Sequence, residues 1–432
     1  IEALREKGKL HAAQQAMVDN HGSQCGFCTP GFVMSLFALG KSYPPLSGDG
    51  NSLEPINSLE RINSPEPINN REKILEALSG NLCRCTGYRS IVDASEQYLT
   101  GLKDQNKALD QFDLVQNETR DKLITIRELH LDRNSTKSLP HQPKLLPTSI
   151  DQLADQMMAH PDAVLLSGGT DLALLLTQNL QHLSPLIYLG KVAELKEMSE
   201  SETTFIIGAG VTYSECFTQI NLAYPEWGEM ILRLGSLQVR NHGTIGGNIG
   251  NASPIGDMPP VLIALGSKIE MRQGTQERLM LVEDYFVDYK VTSQKKSEFI
   301  KSIHIPKPRT NFHLKIYKVS KRFDDDISAV LAVFYLRIEK GRVSEIAVVM
   351  GGMAAIPKRA ICCEAALLGK TWSQDTIDNA KAALSEDYQP LSDMRASAEY
   401  RMGLAKNLLQ KCFIEISQPE LKLHVLNEVG VV

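Results

Sequence analysis

His21-Gly-Ser-Gln-Cys-Gly-Phe-Cys-Thr-Pro-Gly31 and Gly80-Asn-Leu-Cys-Arg-Cys-Thr-Gly-Tyr-Arg89 decide how the first quarter of this chain folds. Each places two cysteines in a turn containing glycine and threonine, just ahead of a helix start. Cys25, Cys28, Cys83 and Cys85 together supply four thiolates, a complete set for an iron–sulfur cluster or a zinc ion. The spacing is C-x2-C in one arm and C-x-C in the other. Structural zinc sites usually present two wider knuckles, and C-x-C holds its sulfurs closer than those do. A [2Fe–2S] centre therefore fits the spacing best, with zinc and unmetallated thiols as the alternatives. The positive ends of the helices that follow are expected to favour the anionic sulfurs.

Around these turns, residues 1–100 read as a small helical domain. Leu4, Leu10, Ala13 and Met17 predict one amphipathic first helix. Thr29-Pro30 predicts the start of a second, running through Phe32–Leu39. A third fits Arg71–Leu78, and a fourth begins near Tyr88–Ser90. Between the second and third stands a tandem hexapeptide: Asn51-Ser-Leu-Glu-Pro-Ile, Asn57-Ser-Leu-Glu-Arg-Ile, Asn63-Ser-Pro-Glu-Pro-Ile. Three copies interrupted by prolines are too few for a solenoid, so 47–70 is expected to be an inserted, exposed loop. Residues 101–139 are polar and charged, and read as an interdomain linker.

From Leu145 onward helices alternate with β-rich segments. The pattern predicts a helix at Ser149–Met158 and strands at Ala163–Leu166 and Phe205–Ile207. Beyond 310 it predicts strands at Ala329–Ile338 and Glu345–Met350, then helices at Ser373–Leu384 and Ala396–Cys412. The fold class is multidomain, α plus α/β: a four-helix thiolate domain over 1–100, an α+β domain over 140–310 and a second α+β domain over 311–418.

Composition excludes several functions. A net charge of −5 over 432 residues leaves no basic surplus for nucleic acid. No apolar run reaches the length of a membrane span, and the charged first residues resemble no signal peptide. Eight cysteines, two of them adjacent at Cys362–Cys363, suit reduced thiols in the cytoplasm better than a disulfide framework.

Two glycine-rich segments have the composition of a phosphate cradle: Leu165-Leu-Ser-Gly-Gly-Thr-Asp-Leu172 and Thr244-Ile-Gly-Gly-Asn-Ile-Gly-Asn-Ala-Ser-Pro-Ile-Gly-Asp257. Glycines let backbone N–H groups approach phosphate oxygens, and Thr, Ser and Asn side chains add donors. Taken alone, such turns are more often structural. Gly208-Ala-Gly210 follows an apolar strand, but the third glycine of the dinucleotide fingerprint is replaced by Tyr213. A non-Rossmann site is expected.

The two cysteine motifs resemble the second iron–sulfur domain of the molybdenum hydroxylases, the family of xanthine dehydrogenase and aldehyde oxidase. The glycine segments resemble the flavin domain of the same family, above all the small subunit of bacterial xanthine dehydrogenase. The resemblance runs from near residue 1 to about 415, with the repeat and the linker as its poor stretches. It implies a helical [2Fe–2S] domain, a non-Rossmann FAD-binding domain and a C-terminal flavoprotein domain. Cys25, Cys28, Cys83 and Cys85 would hold the cluster, and Gln24 would face the pterin of a partner. Leu165, Leu166, Ser167, Gly168, Gly169, Thr170, Asp171 and Leu172 would line one side of the FAD pyrophosphate. Thr244, Ile245, Gly246, Gly247, Asn248, Asn251, Ser253 and Asp257 would line the other.

By the same resemblance Leu234 and Ile300 would lie against the flavin, with Lys318 near a family lysine. The charged loop Ser320-Lys-Arg-Phe-Asp-Asp-Asp-Ile327 would flank the flavin ring and influence access of NAD or oxygen. The implied activity is electron transfer from a molybdopterin-bearing large subunit, which hydroxylates a purine, to NAD. A hetero-oligomer is implied, and no residue is assigned to purine oxidation. An FAD-binding remnant without electron transfer, and an aldehyde- or aromatic-oxidising relative, are the other readings. One departure stands out: the family usually begins with a ferredoxin domain of C-x4-C-x2-C…C pattern, which Cys216, Cys362, Cys363 and Cys412 do not reproduce.

Overall fold

The structure, a computed structural model, describes residues 1–5, 8–42, 70–104, 118–126, 145–183, 185–421 and 423. The chain divides into two compact units, Ile1–Pro143 and Lys144–Val432. The 47–70 insertion lies outside the described residues except for Asn70. Of the 101–139 linker, only 101–104 and 118–126 are described, and both stretches are helical.

The first unit is built from helices α1 (Ala12–Asp19), α2 (Thr29–Ser42), α3 (Asn70–Leu78) and α4 (Arg89–Asp104). The first helix is shorter than the apolar spacing predicts. Leu4 closes a separate 3-10 turn, Glu2–Leu4, and Leu10 is exposed. The reason is local: His11 caps α1, its ring accepting from Ala13 N while Gln14 reaches back to the His11 N–H. Ala13, Met17, Phe32, Leu36, Ile74, Ile91 and Leu99 close the core between the four helices. Burial of these side chains, rather than propensity, holds helices this short.

In the second unit, β1 (Val164–Leu166) pairs in parallel with β2 (Leu186–Tyr188). Five antiparallel strands then form a sheet in the order β3-β4-β9-β5-β6. Their spans are β3 (Met198–Glu200), β4 (Thr204–Gly208), β5 (Lys268–Gln273), β6 (Gln276–Leu281) and β9 (Phe299–Pro306). A small hairpin, β7 (Phe286–Asp288) with β8 (Val291–Thr292), precedes β9. An antiparallel sheet cannot be a doubly wound dinucleotide fold, so the site must be made by loops and helix starts. Gly208 and Gly210 serve packing: Gly210 donates to the Leu195 carbonyl at 2.8 Å, and the Gly208 N–H to that of Glu197 at 2.9 Å.

The C-terminal part is a second antiparallel sheet, β10 (Phe312–Val319), β11 (Val330–Glu339), β12 (Arg342–Gly351) and β13 (Lys358–Arg359), in that order. One face, carrying Val330, Ala332, Phe334, Leu336, Val348 and Met350, packs against helices Ile361–Leu367, Gln374–Asp387 and Ala398–Ser417. Strands β11 and β12 also receive helix Met258–Ala264, whose seven residues are all buried. That helix is apolar all round, which suits a position between two layers. No helix among the described residues is long and apolar enough to cross a membrane.

Candidate functional site

The first site is the thiol cluster. Cys25 and Cys28 occupy the turn before α2, and Cys83 and Cys85 the turn before α4. The arms meet sulfur to sulfur. Cys85 Sγ lies 3.5 Å from Cys25 Sγ, and the Cys28 thiol faces Cys83. No three histidine, cysteine or carboxylate side chains among the described residues converge on one point, as a single ion requires. Two pairs, each with one sulfur from either arm, form an arrangement that a two-metal centre could use. A tetrahedral metal with bonds of about 2.3 Å sets its sulfurs about 3.7 Å apart, close to the Cys25–Cys85 separation.

The N–H groups that reach these sulfurs come from the turns rather than from the helix ends the sequence suggested. Cys85 N and Thr86 N each donate to Cys83 Sγ at 3.4 Å. The Thr86 hydroxyl, 3.2 Å away, is the main reason the Cys83 thiol is pulled down to about 7. The N–H of Phe27 does the same for Cys25, whereas burial pushes the Cys28 thiol up. Tyr88 braces the second arm, its hydroxyl accepting from Cys83 N at 3.1 Å. Cys83 is buried, while Cys25, Cys85 and Gln24 are exposed and Phe27 is 94% exposed. One edge of the cluster is thus open.

The second site is where the glycine segments meet. Leu165 and Leu166 end β1, residues 167–171 turn, and Leu172 opens helix Leu172–Thr177. Gly168 packs directly on the backbone of His242 and Gly243, where a Cβ would overlap the His242 carbonyl oxygen. That contact brings the first glycine turn against the backbone that leads into Thr244. In the second segment Thr244 caps helix Ile245–Gly250, its hydroxyl oxygen accepting from Gly247 N at 3.0 Å. The Thr244 hydroxyl keeps its proton to donate. Gly246 N donates to the Ala209 carbonyl at 3.1 Å, and a Cβ there would lie 2.5 Å from the Ala209 methyl.

Asn248 Oδ1 is buried and has no hydrogen-bond partner among the described residues. An orphaned acceptor in the second glycine segment, 3.1 Å from the Cβ position of Gly256, is what a bound, hydroxyl-bearing ligand would satisfy. Ser253 Oγ accepts from Ile255 N at 3.4 Å, and Asn251 ends the helix as its C-cap. Ile300, on β9, comes within 3.9 Å of the Cβ position of Gly250. Leu234 follows helix Pro225–Leu232. Its turn is held by buried Arg240, which donates to the carbonyls of Leu232 at 2.8 Å and Gly235 at 2.6 Å.

Asp257 and Lys318 meet each other in the interior. Lys318 Nζ lies 2.5 Å from Asp257 Oδ2 and 3.0 Å from Ser328 Oγ, and Ser328 donates to Asp257 Oδ1 at 2.6 Å. The Lys318 side chain is 1% exposed. Lys318 and Ser328 stand at the two roots of the charged loop Ser320–Ile327. Arg233 holds its tip, donating through Nε and Nη2 to the Phe323 carbonyl at 3.1 and 3.0 Å and stacking 4.1 Å over the ring. Lys321 ties its side to the Met394 carbonyl. Burial raises the Asp324 carboxyl, which faces Arg233, Arg240 and Lys318. Arg233, Arg240 and Ser328 were not picked out from the sequence. A single arginine in an apolar helix carries no spacing signal, and its burial is visible only in three dimensions.

A family model described as a [2Fe-2S] binding domain matches residues 1–96. One described as the FAD binding domain in molybdopterin dehydrogenase matches 142–308, and one described as the CO dehydrogenase flavoprotein C-terminal domain matches 315–416. The chain belongs to the molybdenum hydroxylase family. This molybdenum hydroxylase chain carries, in order, an iron–sulfur domain, an FAD-binding domain and a C-terminal flavoprotein domain. It is 26% identical to the xanthine dehydrogenase of Emericella nidulans over 466 residues, covering 96% of this chain and 32% of that one. Against the xanthine dehydrogenase/oxidase of Rattus norvegicus it is 27% identical over 462 residues, covering 97% and 33%. It thus spans about a third of the length of the curated relatives it matches.

Among solved structures, quinoline 2-oxidoreductase from Pseudomonas putida 86 matches with a TM-score of 0.60 and 25% identity, over 66% of this chain and 100% of that one. Reconstituted CO dehydrogenase from Oligotropha carboxidovorans matches with a TM-score of 0.58 and 26% identity, over 62% and 94%.

Proposed function

We propose that this molybdenum hydroxylase chain is the iron–sulfur and FAD part of a xanthine dehydrogenase-like oxidoreductase. It would receive electrons from a molybdopterin-bearing partner that hydroxylates a purine, with NAD as the final acceptor. The observation that supports this most directly is the pairing of sites on one chain: four thiols in two cross-arm pairs, and two glycine segments in contact, the second of which carries an orphaned acceptor. A bound [2Fe–2S] centre exchanges one electron at a time, and a bound flavin takes up two and exchanges hydride with a nicotinamide.

The residues' own tasks follow from their chemistry. Cys25, Cys28, Cys83 and Cys85 hold the cluster, and the N–H groups of Phe27, Cys85 and Thr86 stabilise their thiolates. Backbone N–H groups of 167–171 and 245–248, with the Thr244 hydroxyl, hold the pyrophosphate of FAD. Leu234 and Ile300 exclude water from the flavin, and the pinned loop Ser320–Ile327 sets what reaches it. The exposed Gln24 and Phe27 beside Cys25 favour a covering partner at the cluster's open edge. The likeness to the xanthine dehydrogenase and the xanthine dehydrogenase/oxidase named above supports a purine substrate, and NAD is the acceptor proposed with it. The test is a visible spectrum of the purified chain under anaerobic conditions, before and after NADH. Flavin and iron–sulfur bands that both bleach are expected. Flavin without iron or sulfide would leave only an FAD-binding remnant.

A further inference from the structure

Thr86 stands between two partners in the second cysteine arm. Its hydroxyl oxygen accepts from Tyr88 N at 3.1 Å and lies 3.2 Å from Cys83 Sγ. The direction of the second contact follows from the first. In the bond to Tyr88 the backbone N–H supplies the hydrogen, so the hydroxyl still has its own proton to give. A metal-bound cysteine is a thiolate and has none. Thr86 is therefore the donor to Cys83 once the cluster is in place. The same sulfur takes the N–H groups of Cys85 and Thr86, each at 3.4 Å, so three donors gather on one buried side chain.

Donors aimed at a cluster sulfur favour the redox state that places more negative charge there. An added electron makes the sulfurs of a [2Fe–2S] centre more negative, so each such hydrogen bond strengthens on reduction. A backbone N–H is present whatever the side chain, whereas the hydroxyl is the donor that the choice of residue at 86 decides. We propose that Thr86 sets the reduction potential of this centre, its hydroxyl making the cluster easier to reduce than the two backbone donors alone would. It acts through Cys83 and is a positioning residue, not a ligand. The proposal rests on the [2Fe–2S] reading of the four thiols.

The experiment uses the full chain, purified anaerobically, with a dithionite titration followed by EPR of the reduced cluster. Wild type is compared with Thr86→Val, Thr86→Ser and Ser23→Ala. Valine keeps the β-branched shape and loses the hydroxyl. Its midpoint potential is expected to fall, with reduction about tenfold less favourable, which is ~59 mV for a one-electron couple. Thr86→Ser, which keeps the donor, should stay near wild type. Ser23→Ala is the control for a loosened arm: its hydroxyl bonds that of Thr29 at 2.7 Å, so its loss takes no donor from Cys83 and should leave the potential in place. Thr86→Ala also lacks the hydroxyl and serves if Thr86→Val assembles no cluster. An unchanged potential without the hydroxyl, a Thr86→Ser value as low as that of Thr86→Val, or an equal fall in Ser23→Ala overturns the proposal. A wild-type chain with neither bound iron nor an EPR signal after reconstitution overturns the [2Fe–2S] reading itself, so the two failures are told apart.

Discussion

Cys83 is the most buried of the four clustered thiols and the one with the most hydrogen-bond support. On the proposed assignment, Cys83→Ser should abolish the iron–sulfur absorbance and bound iron while leaving the flavin spectrum intact. Iron analysis and a visible spectrum of the same sample check it. Simultaneous loss of flavin would mean that the two units depend on each other. Arg233 is the second residue with a separable role. Arg233→Ala removes both the stacking on Phe323 and two hydrogen bonds to its carbonyl. The local cost should be about 1 kcal/mol, seen as roughly fivefold faster hydrogen exchange across 320–327 with the rest of the sheet unchanged. At this scale the sequence was informative for cysteines and glycines, whose chemistry shows in their spacing. It was silent on Arg233 and Arg240, because what they touch lies 5 to 90 positions away in the chain.

Among the elements, the junction of Gly168 with His242 and Gly243 is the tightest constraint on the glycine turns. Gly168→Ala would drive a methyl into a backbone carbonyl that has no room to yield. A destabilisation of about 1–3 kcal/mol in urea unfolding, with loss of bound flavin, is expected. A variant that retains both would show that the two segments need not touch. The strands show how much of an element can be read and how much cannot. β11, with seven consecutive buried residues, and β12 were recognisable as apolar runs. β10 alternates apolar and polar residues, Phe312, Leu314 and Ile316 against His313 and Lys315, and the sequence marks it only as a strand bearing Lys318, without bounds, beside an assumed domain boundary. β5 and β6 are rich in charge because pairs such as Lys301 with Glu270 and Glu277 cover that face of the sheet. Polar cross-strand pairs erase the apolar signal that marks a strand.

Across the second unit, the Lys318–Asp257–Ser328 triad joins the glycine-rich segment to the C-terminal sheet. Removing one partner strands the other's charge in the interior. Lys318→Met alone should cost about 3–5 kcal/mol, and Lys318→Met with Asp257→Asn clearly less. Urea unfolding of the single and double variants checks this, and strict additivity would deny the coupling. The order of the domains was legible because each is announced by its own motif. How their parts interlock was not, since a buried ion pair looks in sequence like two ordinary surface residues.

The same interlock bears on how the chain parts with a tightly held ligand. Gly352 N donates to the Pro254 carbonyl at 2.8 Å, and buried Arg401 grips Gly352, Ala329 and Asp393 from the C-terminal helix. On the proposed assignment, a dinucleotide seated at 244–257 lies on a segment held by that clasp, and its release is expected to follow the clasp's breaking. Prosthetic retention follows: the yellow colour should survive days of dialysis at neutral pH, and should be shed at the urea concentration where the C-terminal helix melts.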